Sequence, residues 1–188
     1  MNCGDGIRVV HPLFQEEGDG AIPISPLQLS INETSLSKAI ELNSLWHSRL
    51  PIASKDNMQR VKHLVCFAAD FSGIFYAAAI WTDPIARKLN GRGWLELRRF
   101  AIADDAPKNT ATRMLMVMRL IICKKWPKTV RLISYQDAEV HTGTIYKAAG
   151  WKIGATSSVG AKGWNNRKRA KMQTTADKIR WEYDLSSP

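Results

Sequence analysis

The sequence is poor in the residues that build metal clusters and cross-links. Its three cysteines, Cys3, Cys66 and Cys123, are odd in number, widely spaced and in no metal-ligand pattern. That argues against a disulfide framework and reads as free thiols in a reducing cytoplasm. Four histidines are present, and no two stand at helical ligand spacing, so a zinc enzyme is not expected on local grounds. Gly-x-Gly-x-x-Gly, a P-loop and Gly-x-Ser-x-Gly are all missing, which removes the dinucleotide, kinase and hydrolase readings. No apolar run approaches the roughly 20 residues of a membrane span. The opening residues, with Asp5, His11 and Pro12, lack the apolar core of a signal peptide. The expectation is a cytoplasmic protein with no membrane partner.

What is present is a charge excess. Against 17 acidic residues stand 27 basic ones, a formal net charge of +10. Such a balance points to an anionic partner, nucleic acid first. A chain of 188 residues fits one domain with an ordinary core. Residues 1–26, rich in Gly and Pro, read as a flexible leader, and 27–188 as the domain.

Along the chain, Gln28 to Ile31 alternates like a short strand. Ser35 to Trp46 follows as a helix with Leu36, Ile40, Leu42 and Leu45 on roughly one face. A polar loop spans Pro51 to Gln59. Strand-like runs cover Val61 to Phe71, Ile74 to Trp81 and Trp94 to Ile102, the first two joined tightly through Ser72-Gly73. Asn109 to Lys125 is apolar nearly all round, which predicts a buried crossover helix. Val130 to Ser134 reads as a strand, His141 to Ala149 as a helix closed by Gly150, then Trp151 to Thr156 and Ile179 to Leu185 as strands. The fold class is therefore α/β, a mixed, mostly antiparallel sheet flanked by helices.

Four places could carry chemistry. The run from Leu97 to Arg113 is a strand, a short loop and a helix start, where free N–H groups and the helix dipole suit a phosphate. Lys108, Thr110, Thr112 and Arg113 would add charge and hydroxyl donors, although a capped helix with solvated polar residues fits the same pattern. Ser134 and Asp137 leave a strand at its carboxyl end, where α/β sheets hold ligands. Tyr146, in the helix beyond, either faces that cleft or packs as an ordinary aromatic. Between Lys162 and Trp181 the residues Lys162, Trp164, Arg167, Lys168, Arg169 and Lys171 interleave charge with an aromatic, as a duplex-DNA grip would. His47, after the first helix, is the fourth, and by residue type is as much structural as ligating.

Two resemblances sharpen this. Ile145-Tyr146-Lys147-Ala148-Ala149-Gly150-Trp151 resembles the tyrosine-bearing helix and Gly-aromatic turn of the GNAT acyltransferase superfamily. The resemblance implies a coenzyme A site: Phe100 to Ile102 pairing with the pantetheine arm, and Lys108, Asn109, Thr110, Ala111 and Thr112 around the pyrophosphate. Tyr146 would be the general acid toward the departing thiolate. That superfamily's phosphate loop carries glycines, and none lies between Gly93 and Gly143 here. Glu96-Leu97-Arg98-Arg99-Phe100, Ala106 to Thr110, Ser134-Tyr135-Gln136-Asp137, His141, Gly143, Thr144, Tyr146 and Trp151, with Lys178 to Trp181, are more similar still to the family of the phage Mu Mom DNA-modification protein.

That likeness implies an enzyme adding a carbamoylmethyl (acetamido) group to the N6 amino group of adenine in double-stranded DNA, protecting phage DNA from restriction. The implied roles are Asp137 orienting the adenine amine or removing its proton, Arg99 stabilising negative charge, Ser134 hydrogen-bonding base or donor, and Tyr146 supplying a proton. The implied cofactors are acetyl-CoA or another acyl-CoA, and iron on His47, Asp137 and Tyr146. Ordinary acyl transfer from acetyl-CoA gives an amide, so the acetamido product implies another donor or a further step. A homodimer is compatible with this picture. The rivals are a conventional acyl-CoA-dependent N-acetyltransferase acting on a protein or small amine, which needs no basic segment, and a non-enzymatic DNA-binding protein on the same fold.

Overall fold

A computed structural model describes residues 22–46, 55–139, 142–157 and 178–186. Seven strands form one sheet: β1 (Ser30–Thr34), β2 (Leu64–Phe71), β3 (Ile74–Thr82), β4 (Trp94–Ile102), β5 (Arg131–Asp137), β6 (Lys152–Ser157) and β7 (Lys178–Asp184), in the order β1-β2-β3-β4-β5-β7-β6. Among the described residues the β4–β5 pair is parallel and the other neighbours are antiparallel. The expected mixed, mostly antiparallel sheet flanked by helices is what the chain forms. No helix of the described residues is long and apolar enough to cross a membrane.

Strand parity decides which helix each residue meets, because successive side chains point to opposite faces. On one face Val65, Phe67, Ala69, Ala77, Ala79 and Trp81 pack with Met114, Leu115, Met118 and Ile122 of α3 (Thr110–Lys125). On the other, Cys66, Ala68, Ala78 and Ile80 meet Leu36, Ala39 and Leu42 of α1 (Leu36–Trp46), which lies mainly over β2, β3 and β4. β3, buried on both faces, therefore reads as an apolar run rather than an alternation. A short α2 (Lys55–Gln59) begins inside the stretch read as a polar loop, and α4 (Thr144–Ala148) lies beside α3.

Three local expectations are corrected. Gln28 does not start a strand: its side-chain oxygen accepts from the N–H groups of Ile24 and Ser25, closing a capping box on a 3-10 turn, Pro26–Gln28. Leu45 is exposed, because Ala39 and Asn43 turn the buried stripe of α1 away from it. α3 is not buried all round: Met116 and Leu120 face outward.

The feature that shapes the site is a bulge. Ile80 lies opposite Arg99 and Trp81 opposite Leu97, so Arg98 is an extra residue in β4. Such an insertion bends its strand. β4 pairs with β5 from Trp94↔Arg131 to Leu97↔Ser134 and then the two part. Beyond that point β4 follows β3 and β5 follows β7, so two strand edges face each other across an open wedge.

Arg113 ties the segment before β1 to α3. Its guanidinium donates to the carbonyl oxygens of Pro26 and Leu29, the latter at 2.7 Å. Arg113→Ala is expected to free this segment, with a loss of about 2 kcal/mol and earlier chymotryptic cleavage after Leu27 or Leu29, read by limited proteolysis.

Candidate active site

The wedge between β4 and β5 has two differently built sides. On the α3 and α4 side, Ser134 is the last β5 residue to pair with β4, and its hydroxyl is 2.8 Å from that of Tyr146. Both are buried. The Tyr146 ring stacks on Trp181 of β7, 5.4 Å between centroids at 15°, and meets Trp151 edge-on. The Trp181 indole N–H donates to Gln136 Oε1 at 2.6 Å, which fixes the aromatic floor beneath the hydroxyl pair. Burial pushes the Tyr146 phenol above its ordinary range, partly offset by the bond to Ser134. It is thus held as a proton carrier at neutral pH.

Gly143, just before α4, makes this arrangement fit. Its φ is +74°, and a Cβ there would stand 2.3 Å from Trp181 Cζ2 and 2.7 Å from Gln136 Oε1. Glycine meets both demands at once.

The α1 side of the wedge is polar. Cross-strand pairing puts Glu96, Tyr135, Arg180, Glu182 and Asp137 with Lys178 on this face. Arg99 joins them through its pairing with Ile80. Glu96 is buried at 6% exposure, with its carboxylate accepting from the Ile85 N–H at 3.0 Å and Arg98 Nε 3.7 Å away. Burial raises its pKa, and the Ile85 N–H, Arg98, Lys178 and Arg99 pull it back. Burial also lowers the pKa of Arg99, where the Arg98 charge adds to the effect. Asp137 Oδ1 accepts from the Glu139 N–H at 3.1 Å, a turn that closes the end of β5.

At the start of α3 the polar groups are divided differently from the expectation. Thr110 is buried and its hydroxyl donates to Pro107 O at 2.7 Å, so it does not present a donor to a ligand. Arg113 is turned to the carbonyls of Pro26 and Leu29. Lys108 and Asn109 are exposed, Ala111 and Thr112 half-buried. Asn109 takes a left-handed φ of +68° and its side chain makes no capping bond, which leaves the first-turn N–H groups without that competitor. Phe100 and Ile102 stand on the splayed part of β4, half-buried against the apolar core.

The structure brings Ser134 and Tyr146 together, and Arg99 and Asp137 onto one face, but it divides the two pairs across the sheet. Asp137 lies three residues beyond Ser134 in one strand, so the two point opposite ways. His47, His141 and the basic residues Lys162, Trp164, Arg167, Lys168, Arg169 and Lys171 lie outside the described residues. Glu96, Tyr135 and Gln136 lie in the runs the sequence singles out but carry no role there, and Trp181 reads from the sequence as part of the basic, DNA-gripping segment rather than of this site. The parity of β5 was the available signal, lost because the strand was ended at Ser134 and not at Asp137.

The model of the Mom protein family matches residues 76–184. That span is more than half of the chain and includes the whole wedge. The chain belongs to the Mom protein family. No match is found among the curated proteins. The Mom-family chain is similar in fold to the ribosomal-protein-S18-alanine N-acetyltransferase of Escherichia coli, with a TM-score of 0.58, 13% identity, and coverage of 85% of this chain and 96% of that one. It is also similar to a Bacillus subtilis acetyltransferase in complex with CoA, with a TM-score of 0.54, 14% identity, and coverage of 84% and 97%. A GNAT acetyltransferase from Elizabethkingia anophelis with acetyl-CoA bound gives a TM-score of 0.52 at 14% identity, over 84% and 98% of the two chains. The Mom-family chain thus has a GNAT fold.

The described residues do not fit an iron site built on Asp137 and Tyr146. The two lie on opposite faces of the sheet, and the Tyr146 hydroxyl is occupied by Ser134. No group of three or more His, Cys, Asp or Glu able to hold a metal occurs among the described residues.

Proposed function

We propose that this Mom-family protein is an acyl-CoA-dependent type of transferase that modifies the N6 amino group of adenine in double-stranded DNA with a carbamoylmethyl group, shielding phage DNA from restriction. The observation that carries the reading is the family match over residues 76–184, which includes Glu96, Arg99, Ser134, Asp137 and Tyr146. The CoA and acetyl-CoA complexes among proteins of the same fold support a thioester donor.

The residues present fit such a donor. The edge of β4 beyond its pairing with β5, from Arg98 to Ile102, offers backbone donors and acceptors to a pantetheine arm, and the half-buried first turn of α3, beside the exposed Lys108, offers N–H groups to a pyrophosphate. A bound thioester would supply an activated carbonyl and a thiolate leaving group, so attack by the adenine amine would give an N6-acyl adenine and the free thiol; the carbamoylmethyl product then requires a nitrogen-bearing acyl group and a second, rearranging step. Tyr146, kept protonated by burial, supplies a proton on the α4 side, and Ser134 orients its hydroxyl. On the α1 side Asp137 orients the adenine amine, and Arg99 holds negative charge or a carbonyl oxygen. The two faces thus divide the work, with donor chemistry on one and acceptor chemistry on the other.

Adenine's amino group is hemmed in within the duplex, so the target base must leave the stack. The basic segment from Lys162 to Lys171 supplies the sequence-independent grip on DNA. The test is mass spectrometry of nucleosides from plasmid DNA made in cells expressing the protein. Unmodified adenine beside acetylation of a small amine or peptide would favour the conventional N-acetyltransferase.

A further inference from the structure

The α1 face of the wedge carries an aromatic side chain that the chemistry above does not use. Tyr135 sits in β5 between Ser134 and Gln136, both buried, yet is itself 38% exposed. Among the described residues α1 lies mainly over β2 to β4 rather than over β5 and β7. The ring is held in place. Tyr135 pairs directly with Arg180, and the guanidinium hydrogen-bonds the phenol. Arg180 is itself fixed by Glu182, 2.8 Å from its Nε, and lies over the Trp94 ring at 5.8 Å. An exposed ring locked by a second layer of contacts is a preorganised platform.

The polarity around it selects the ligand. Arg98, Arg99 and Lys178 put positive charge on this face, and the carboxylates of Glu96 and Asp137 stand among them. A phosphate there would meet two carboxylates. A purine edge, which alternates an amino donor with ring-nitrogen acceptors, matches such a mixture. Asp137 is two residues beyond Tyr135 on the same face, about 7 Å along the strand. A base stacked on the Tyr135 ring therefore brings its amino edge to Asp137.

We propose that this face is the binding site for the extruded adenine, with Tyr135 the aromatic surface on which the base stacks. The proposal rests on the DNA-adenine reading above and makes Tyr135 a positioning residue. Stacking tolerates loss of the hydroxyl but not of the ring, and each stacked base contributes about tenfold or more in affinity.

The test uses a pyrimidine-rich single strand carrying one 2-aminopurine, whose fluorescence is quenched when it stacks on an aromatic ring. The full-length wild-type protein is expected to quench it, and Tyr135→Phe to quench it equally. Tyr135→Ala and Tyr135→Leu, which keeps the bulk without the ring, should abolish the quenching and weaken binding about tenfold. Both should also lower adenine modification in cells by at least tenfold. Quenching by the Ala or Leu variant at the wild-type level overturns the proposal, as does Tyr135→Phe behaving like Tyr135→Ala. If the wild type modifies adenine without quenching, the platform falls and the function stands. If the wild type neither modifies adenine nor binds the strand, the functional reading falls and takes this proposal with it.

Discussion

Gly143→Ala is expected to lower stability by about 3 kcal/mol or more. A left-handed backbone costs an alanine about 1 kcal/mol. The new methyl would then sit 2.3 Å from the Trp181 indole and 2.7 Å from Gln136 Oε1, and neither can retreat. Overpacking of a rigid core costs about 1–3 kcal/mol. Displacing the indole breaks its 2.6 Å bond to Gln136 and tilts the ring under Tyr146. A drop of roughly 6–12 °C in Tm follows for a domain of this size. Gly73→Ala is the control, since its φ is +81° but nothing lies within 4 Å of the new Cβ. It should cost only about 1 kcal/mol. Equal melting temperatures for the two variants would show that the Trp181–Gln136 arrangement does not depend on Gly143.

Tyr146→Phe is expected to separate chemistry from folding. The phenylalanine ring keeps the stack on Trp181 and the edge contact with Trp151. Ser134 loses a buried partner, a cost of about 1 kcal/mol. If the phenol protonates the departing thiolate, turnover should fall about 100-fold with KM for the thioester little changed. Burial raises the phenol's pKa above its ordinary value near 10. The group stays protonated through neutral pH, so it imposes no falling limb on wild-type activity below about pH 10. The fold favours the neutral phenol, so the stability this group contributes declines only as pH climbs past about 10. Unchanged turnover in the phenylalanine variant would remove Tyr146 from the chemistry and leave it a packing residue.

How much of this was legible in the sequence depends on how local each feature is. β4 is legible because Trp94 to Ile102 is a strand-like run after clear turn signals, α1 because of its apolar spacing, and α3 because it is apolar nearly all round. The wedge was not legible. It arises from the extra residue at Arg98, which exists only relative to β3, and from β7 entering the sheet between β5 and β6. Trp181 reaches Gln136 across 45 residues of chain, a contact no local pattern encodes. The fates of Thr110 and Arg113 were hidden for the same reason: both offered donors to a phosphate in the sequence, and both spend them on carbonyls in the fold. The separation of Asp137 from Ser134 needed only a count of residues along one strand. It was missed because the exposed Tyr135 interrupts the apolar pattern and makes β5 look shorter than it is.

Nucleoside mass spectrometry of plasmid DNA from cells expressing the wild-type protein and Asp137→Ala decides whether this chain modifies adenine. Deoxyadenosine heavier by one carbamoylmethyl group is predicted for the wild type, with the signal lost in the Asp137 variant although that protein is soluble and melts within a few degrees of the wild type. Unmodified deoxyadenosine from cells rich in soluble wild-type protein would contradict the account.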